Sequence, residues 1–139
     1  MNKVSHSTRI KIPFHDVDSA HITWHGHYVK YLEIARCELL DLINYNYPQM
    51  LESGYFWPVI DLRLRYAAPC RFGQEIIVHS EIKEWENRLK IDYKIVCAQT
   101  GQRLTKASTI QVAVEIASEE MLFESPAILF EKLGVTKRG

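Results

Sequence analysis

The sequence is poor in several features that define whole classes of protein. Its 139 residues include only three cysteines, Cys37, Cys70 and Cys97, whose odd number and wide spacing argue against a disulfide framework and suit a reducing compartment. We expect each of the three cysteine side chains to pack in the hydrophobic core rather than to take part in chemistry. Neither sign of charge is in excess, because 17 basic side chains balance 17 acidic ones, so the overall charge attracts neither nucleic acid nor an anionic membrane.

Long apolar runs are also missing from the chain. No stretch approaches the length of a transmembrane segment, and residues 1–12 contain no apolar run that would serve as a signal peptide. We therefore expect a cytoplasmic protein. A chain of 139 residues, 47% of them hydrophobic, is long enough for one domain with a buried core, so we assign residues 1–139 to a single domain.

The pattern of apolar residues predicts one long helix and a series of strands. Apolar side chains recur at three- and four-residue steps over residues 24–44, which is typical of an amphipathic helix. A short helical turn is predicted at residues 48–52, and a C-terminal helix at 127–133, between Pro126 and Gly134. Alternation of apolar and polar residues predicts strands at residues 7–14, 58–66, 75–85, 89–97 and 103–116.

This order of elements predicts an α+β fold, with helices on one side of an antiparallel sheet. The long helix is apolar enough to lie across that sheet. In the strand at 58–66 the alternation predicts one buried face, formed by Ile60, Leu62, Leu64 and Tyr66. A single sheet around one helix leaves an edge to cover, and dimerisation is the usual solution.

Titratable side chains concentrate in the loop before the long helix. Asp16 and Asp18 follow the first strand, and four of the six histidines lie within residues 15–27. Thr23 is predicted to be the helix N-cap, and the first turn would present unpaired backbone N–H groups at the positive end of the helix dipole. Such a helix start is suited to stabilise a developing oxyanion.

Residues 16–36 read DVDSAHITWHGHYVKYLEIAR, which resembles the signature of the hotdog-fold acyl-CoA thioesterases. Within that superfamily the run is most similar to the 4-hydroxybenzoyl-CoA thioesterase family and its Tol-Pal-associated relatives. The resemblance implies a hotdog fold, in which an antiparallel sheet wraps around one long central helix, and a homodimer or homotetramer with sites between subunits. It also implies that Asp18 is the catalytic carboxylate and that the backbone N–H of His25 polarises the thioester carbonyl. His21 is a departure, since the family usually has glycine there, and it bears on the loop and the acyl pocket.

The chemistry of thioester hydrolysis gives these residues their roles. The reaction needs a nucleophile or base beside the carbonyl carbon and a donor aimed at the carbonyl oxygen. Asp18 could activate a water as general base or attack directly to form a mixed anhydride. The N–H of His25 or Gly26 would serve as the oxyanion donor, and the small Gly26 would let a bulky thioester approach the backbone. Trp24, Gly26 and Tyr28 are the predicted substrate-binding residues.

The predicted substrate is a thioester of coenzyme A or of an acyl-carrier protein. Coenzyme A enters as part of the substrate, so we expect no separate cofactor and no metal. The acyl group stays open, because the aromatic neighbourhood suits an aryl or an aliphatic chain equally. That neighbourhood comprises Trp24, Tyr28, Tyr55, Phe56 and Trp57.

Two other interpretations remain. The first is a metal site, because the loop holds enough nitrogen and oxygen ligands for zinc in His21, His25, His27, Asp16 and Asp18. His25 and His27 are two residues apart and would point to different faces of a helix, while His21 and His25 have a helical spacing in what should be a loop. The second is a non-catalytic acyl-binding module that keeps the hotdog dimer, although such a module has no need of a carboxylate beside the thioester.

Overall fold

The chain folds into a five-stranded antiparallel sheet, a two-stranded sheet and three α-helices over the residues that this computed structural model describes, which are 4–18, 23 and 26–136. None of the described helices is long and apolar enough to cross a membrane. A short 3₁₀ turn, Phe14–Asp16, follows the first strand. The helices are α1 (His27–Leu42), α2 (Tyr47–Glu52) and α3 (Ala127–Leu133), and the strands are β1 (Ser5–Lys11), β2 (Tyr55–Phe56), β3 (Val59–Tyr66), β4 (Glu75–Glu84), β5 (Leu89–Cys97), β6 (Arg103–Gln111) and β7 (Val114–Glu115).

The five-stranded sheet has the order β1-β4-β5-β6-β3, and α1 packs against its inner face beside β1 and β4. Apolar residues at helical spacing make one face of α1, and alternate residues of the strands oppose it. The core therefore lies between one helix and one sheet, which confirms the predicted α+β hotdog architecture. The helix contributes Tyr28, Tyr31, Leu32, Ala35, Leu39 and Leu40, and β4 and β5 contribute Ile76, Val78, Ile82, Leu89, Ile91, Tyr93 and Ile95.

The start of α1 differs from the prediction. The helix begins at His27 rather than near residue 24, and Gly26 occupies the N-cap position. The N-cap prediction for Thr23 was wrong, because this residue is used in another contact. It pairs with Val17 in an isolated bridge, and its N–H donates to the carbonyl of Cys70 at 2.8 Å.

The last predicted strand, residues 103–116, is two strands. β6 ends at Gln111, and β7 leaves the main sheet to pair with β2. The N–H of Leu122 donates to the carbonyl of Ala113 at 2.9 Å, so the backbone at the break bonds to a later segment rather than to β3.

The buried face predicted for β3 was also wrong for the isolated chain. β3 is an edge strand that pairs only with β6 among the described strands. Ile60, Leu62 and Tyr66 are 57%, 41% and 46% exposed, because α1 packs mainly over β1 and β4 and covers this edge strand incompletely. Leu64 of the same face is partly buried against the core, as predicted. Among the cysteines, Cys70 and Cys97 are buried as expected, whereas Cys37 is exposed on α1, and all three are free thiols.

Candidate active site

The first turn of α1 has no compensating negative charge of its own. Gly26 at the N-cap has no side chain to cap the helix, and no acidic residue lies in the first turn. The N–H groups at the start of an α-helix have no intrahelical acceptor and carry the positive end of its dipole. The φ and ψ angles of Gly26, −64° and −24°, are open to any residue, so the backbone itself does not require glycine there.

The segment that carries Asp18 is held next to this helix start. Within the 3₁₀ turn, the N–H of Asp16 donates to the carbonyl of Pro13 at 3.1 Å, and the N–H of Val17 donates to that of Phe14 at 3.2 Å. Val17 also forms the bridge with Thr23 described above. Asp18 is exposed and comes directly after this bridge.

Asp16, the other carboxylate of the pair, is buried. Its side chain is 0% exposed, and the Nζ atom of Lys30 lies 2.6 Å from each of its carboxylate oxygens. The hydroxyl of Tyr31 donates to Oδ2 of Asp16 at 2.7 Å. Burial acts to raise the pKa of Asp16, but the hydrogen bonds from Lys30 and Tyr31, with the charge of Lys30, outweigh it and hold this pKa below its ordinary value.

Two histidine side chains lie within 4 Å of the Asp16 carboxylate. Nε2 of His15 and Nδ1 of His27 are 3.6 and 3.7 Å from Oδ1 of Asp16, and the His15 side chain is 79% exposed. Over residues 4–18, 23 and 26–136, no three His, Cys, Asp or Glu side chains are grouped so as to hold a metal ion. His21 and His25, two of the ligands considered for zinc, lie outside the described residues.

The predicted substrate-binding and catalytic residues have different placements. Trp24 and His25 lie outside the described residues, so their roles stay predictions. Tyr28 is only 2% exposed, and its hydroxyl accepts a hydrogen bond from the N–H of Cys70 at 3.0 Å. Its ring packs edge-on against that of Tyr66, with centroids 4.8 Å apart. Tyr28 therefore presents almost no surface in this chain, and its role in substrate binding stays a prediction.

Comparison with known proteins identifies the family. A family model described as the Thioesterase-like superfamily matches residues 12–127. The chain belongs to this superfamily. A Synechocystis protein provisionally named an esterase is 30% identical over 89% of this chain and 75% of its own length. A Bacillus subtilis protein provisionally named an acyl-CoA thioesterase is 23% identical over 76% of this chain and 77% of its own.

The fold of this thioesterase-family enzyme is also seen in solved structures. The 1,4-dihydroxy-2-naphthoyl-CoA thioesterase of Synechocystis superposes with a TM-score of 0.83, covering 94% of this chain and 96% of its own, at 17% identity. At this identity the likeness supports the fold alone. The resemblance of residues 16–36 to the hotdog thioesterases is thereby confirmed at the level of family and fold.

An apolar cavity of about 710 Å³ lies beside α1 in the thioesterase. Glu33 is the first residue of α1 that lines it, six residues after His27. At 1.5 Å per residue, the cavity begins about 9 Å along the helix from its start. Phe56 and Trp57, from the predicted aromatic neighbourhood, form part of its wall, together with Cys37, Leu40, Met50, Leu51 and Val59.

Sequence reasoning missed Lys30 as part of the site. In the sequence it is one polar residue among several on an amphipathic helix, whereas the structure pairs it with a buried carboxylate 14 positions earlier. A signal was available, since Lys30 directly precedes the core residue Tyr31 and therefore lies next to the buried face of α1. Elsewhere on α1, Glu33 and Arg36 form an ion pair three residues apart.

Proposed function

We propose that this chain hydrolyses an acyl-CoA thioester to the free acid and coenzyme A. Asp18 acts at the carbonyl carbon, and the backbone N–H groups at the start of α1, near His25 and Gly26, polarise the carbonyl oxygen. The observation that carries the proposal is the attachment of the segment 14–18 to the first turns of α1, through the contacts of Asp16, in a chain of the thioesterase superfamily.

The chemistry follows from a carboxylate placed beside a positive helix end. In one route Asp18 takes a proton from a water molecule, whose oxygen bonds to the carbonyl carbon. In the other route the carboxylate itself bonds to that carbon, and water later hydrolyses the mixed anhydride. In both routes negative charge develops on the carbonyl oxygen before the C–S bond breaks and the thiolate leaves, and donors at the helix start stabilise that charge.

We assign the apolar cavity beside α1 to the acyl group. It begins about 9 Å from the helix start, a distance that a medium aliphatic chain or an aryl group can span. The 1,4-dihydroxy-2-naphthoyl-CoA of the Synechocystis neighbour makes aryl thioesters a sensible first class to test. A carrier-protein thioester is the alternative substrate, and a cytoplasmic location remains the expectation from the sequence.

We also infer that two copies of the chain pair through β3. This eight-residue strand forms an edge of the main sheet, and its exposed apolar side chains include Ile60, Leu62 and Tyr66. A long apolar edge strand left open is a site for pairing with another strand. A second copy would continue the sheet and cover these side chains, which gives the homodimer expected from the sequence.

The proposed activity is tested by thiol release from short, medium, long and aryl acyl-CoAs, with a metal chelator present throughout. Hydrolysis of at least one thioester in chelator is the expected result, and the panel then names the acyl class. Activity lost to the chelator and restored by zinc would instead support the metal hypothesis. An absence of hydrolysis with every acyl-CoA and with an acyl-carrier protein would favour the binding module.

A further inference from the structure

The two carboxylates of the segment 16–18 lie in opposite environments. The Asp16 side chain has no exposed surface and bonds to Lys30 and Tyr31 of α1, whereas Asp18 is exposed. A buried carboxylate is costly unless donors compensate it, and here an ammonium group and a phenol both do so. Removing either donor leaves a charge that the interior tolerates poorly.

These contacts connect two elements whose relative position decides the proposed chemistry. Asp16 ends the 3₁₀ turn, and Lys30 and Tyr31 lie at the junction of the first and second turns of α1. Only Val17 separates Asp16 from Asp18, so the two Cα atoms are at most about 7 Å apart along the chain. We therefore expect Asp18 to shift by a similar distance when the Asp16 carboxylate is displaced.

We propose that Asp16 is a positioning residue, whose bonds to Lys30 and Tyr31 fix the 3₁₀ turn against α1 and so set where Asp18 meets the helix start. The inference rests on the proposed function, because it assigns to Asp18 the reacting carboxylate. It divides the roles of the pair, because Asp16 holds the geometry through Lys30 and Tyr31, and the exposed Asp18 is assigned to the substrate.

The size of the effect follows from the sensitivity of catalysis to position. A misplacement of a reacting group by about 1 Å costs up to roughly a hundredfold in rate. Loss of the Lys30 contact should therefore lower kcat by roughly tenfold to a hundredfold and leave KM nearly unchanged. A purely structural contact would instead lower the melting temperature without changing kcat of the folded enzyme.

The test uses Lys30 rather than the buried Asp16, because 43% of the Lys30 side chain is exposed, and the melting temperature of each variant is measured to establish that it is folded. Lys30→Met keeps the length and removes the charge, and Lys30→Arg restores a cation. Lys83→Met is the matched control, since Lys83 is also 43% exposed and its Nζ lies 2.8 Å from Glu81 on the outer face of the sheet. We expect a reduced kcat in Lys30→Met, recovery in Lys30→Arg and no change in Lys83→Met.

A second measurement decides the inference without using activity. The N–H groups of Asp16 and Val17 are bonded within the 3₁₀ turn, and their hydrogen exchange reports whether that turn is held. Exchange should accelerate at these two amides in Lys30→Met and stay unchanged in β5. Unchanged exchange and an unchanged kcat would overturn the inference, while a loss of activity in Asp18→Asn would still support the proposed function. If no acyl-CoA is hydrolysed, hydrogen exchange alone tests the inference: faster exchange at Asp16 and Val17 in Lys30→Met supports it, and unchanged exchange overturns it.

Discussion

The hydroxyl of Tyr28 accepts a hydrogen bond from the backbone N–H of Cys70 at 3.0 Å, and both residues are buried. Burial raises the pKa of Tyr28 above its ordinary value, so the phenol is neutral at pH 7. Tyr28→Phe leaves the Cys70 N–H without this acceptor. An unsatisfied buried donor costs about 1–3 kcal/mol, so the variant should unfold at lower urea concentration than the wild type.

The same variant tests the predicted role of Tyr28 in substrate binding. Because the ring is buried, we expect KM for the best acyl-CoA to change by less than about twofold, while a lost substrate hydrogen bond would cost more. Tyr47→Phe is the control for stability alone, since Tyr47 is 65% exposed and its hydroxyl should matter little to folding, whereas its place in the wall of the acyl cavity makes it unsuitable as a control for KM. A rise in KM with unchanged stability would show that the Tyr28 hydroxyl meets the substrate instead.

The buried carboxylate of Asp16 predicts a pH dependence of stability. Its pKa is lowered in the folded chain, so its contribution is complete above the ordinary aspartate pKa of about 4 and is lost as the pH falls through the lowered value. The wild type should therefore be more stable than Asp16→Asn by a constant amount from pH 7 to about pH 5. Below pH 4 the difference should shrink.

Urea unfolding of both proteins at one fixed protein concentration measures this difference across the pH range. At neutral pH we expect it to be about 1–3 kcal/mol, because Lys30 and Tyr31 lose a charged acceptor. A difference that is independent of pH down to pH 3 would contradict the ionised state assigned to Asp16.

The edge strand β3 predicts an assembly that depends on its apolar side chains. Leu62 is 41% exposed in the isolated chain, and Leu62→Lys would place a charge at the centre of the proposed pairing. We expect sedimentation or light scattering to show a dimer for the wild type and a monomer for Leu62→Lys. Phe123→Lys, at a position 85% exposed in the segment between β7 and α3, should stay dimeric. Wild-type monomers at micromolar concentration would refute the pairing.

Much of the fold could be predicted because its signals are local. The bounds of β5 follow from strict alternation, and α3 runs from Pro126 at its N-cap to Gly134, whose φ of 71° favours glycine at a helix end. The start of α1 could not be predicted in the same way. Thr23 looked like an N-cap, but its N–H bonds to Cys70, a contact that only the folded chain brings together.

In the site, too, the local motif could be predicted from the sequence, whereas the contacts made by the folded chain could not. The motif of residues 16–18 identified a pair of carboxylates, and the family pattern chose Asp18 as the reacting group. Which of the pair is buried could not be known from the sequence, because that depends on where Lys30 and Tyr31 lie once α1 has packed against the sheet. The apolar face of β3 was recognised, but Ile60, Leu62 and Tyr66 stay largely exposed in this chain, and their burial by a second copy is the pairing proposed above.

The most direct test of the central claim is kcat for the best acyl-CoA in wild type, Asp18→Asn and Asp92→Asn. Asp92 lies on the outer face of the sheet, so its variant removes the same charge away from α1. We predict that Asp18→Asn lowers kcat by at least about a hundredfold with KM little changed, while Asp92→Asn keeps wild-type activity. Wild-type kcat in Asp18→Asn would contradict the assignment of Asp18 as the reacting carboxylate.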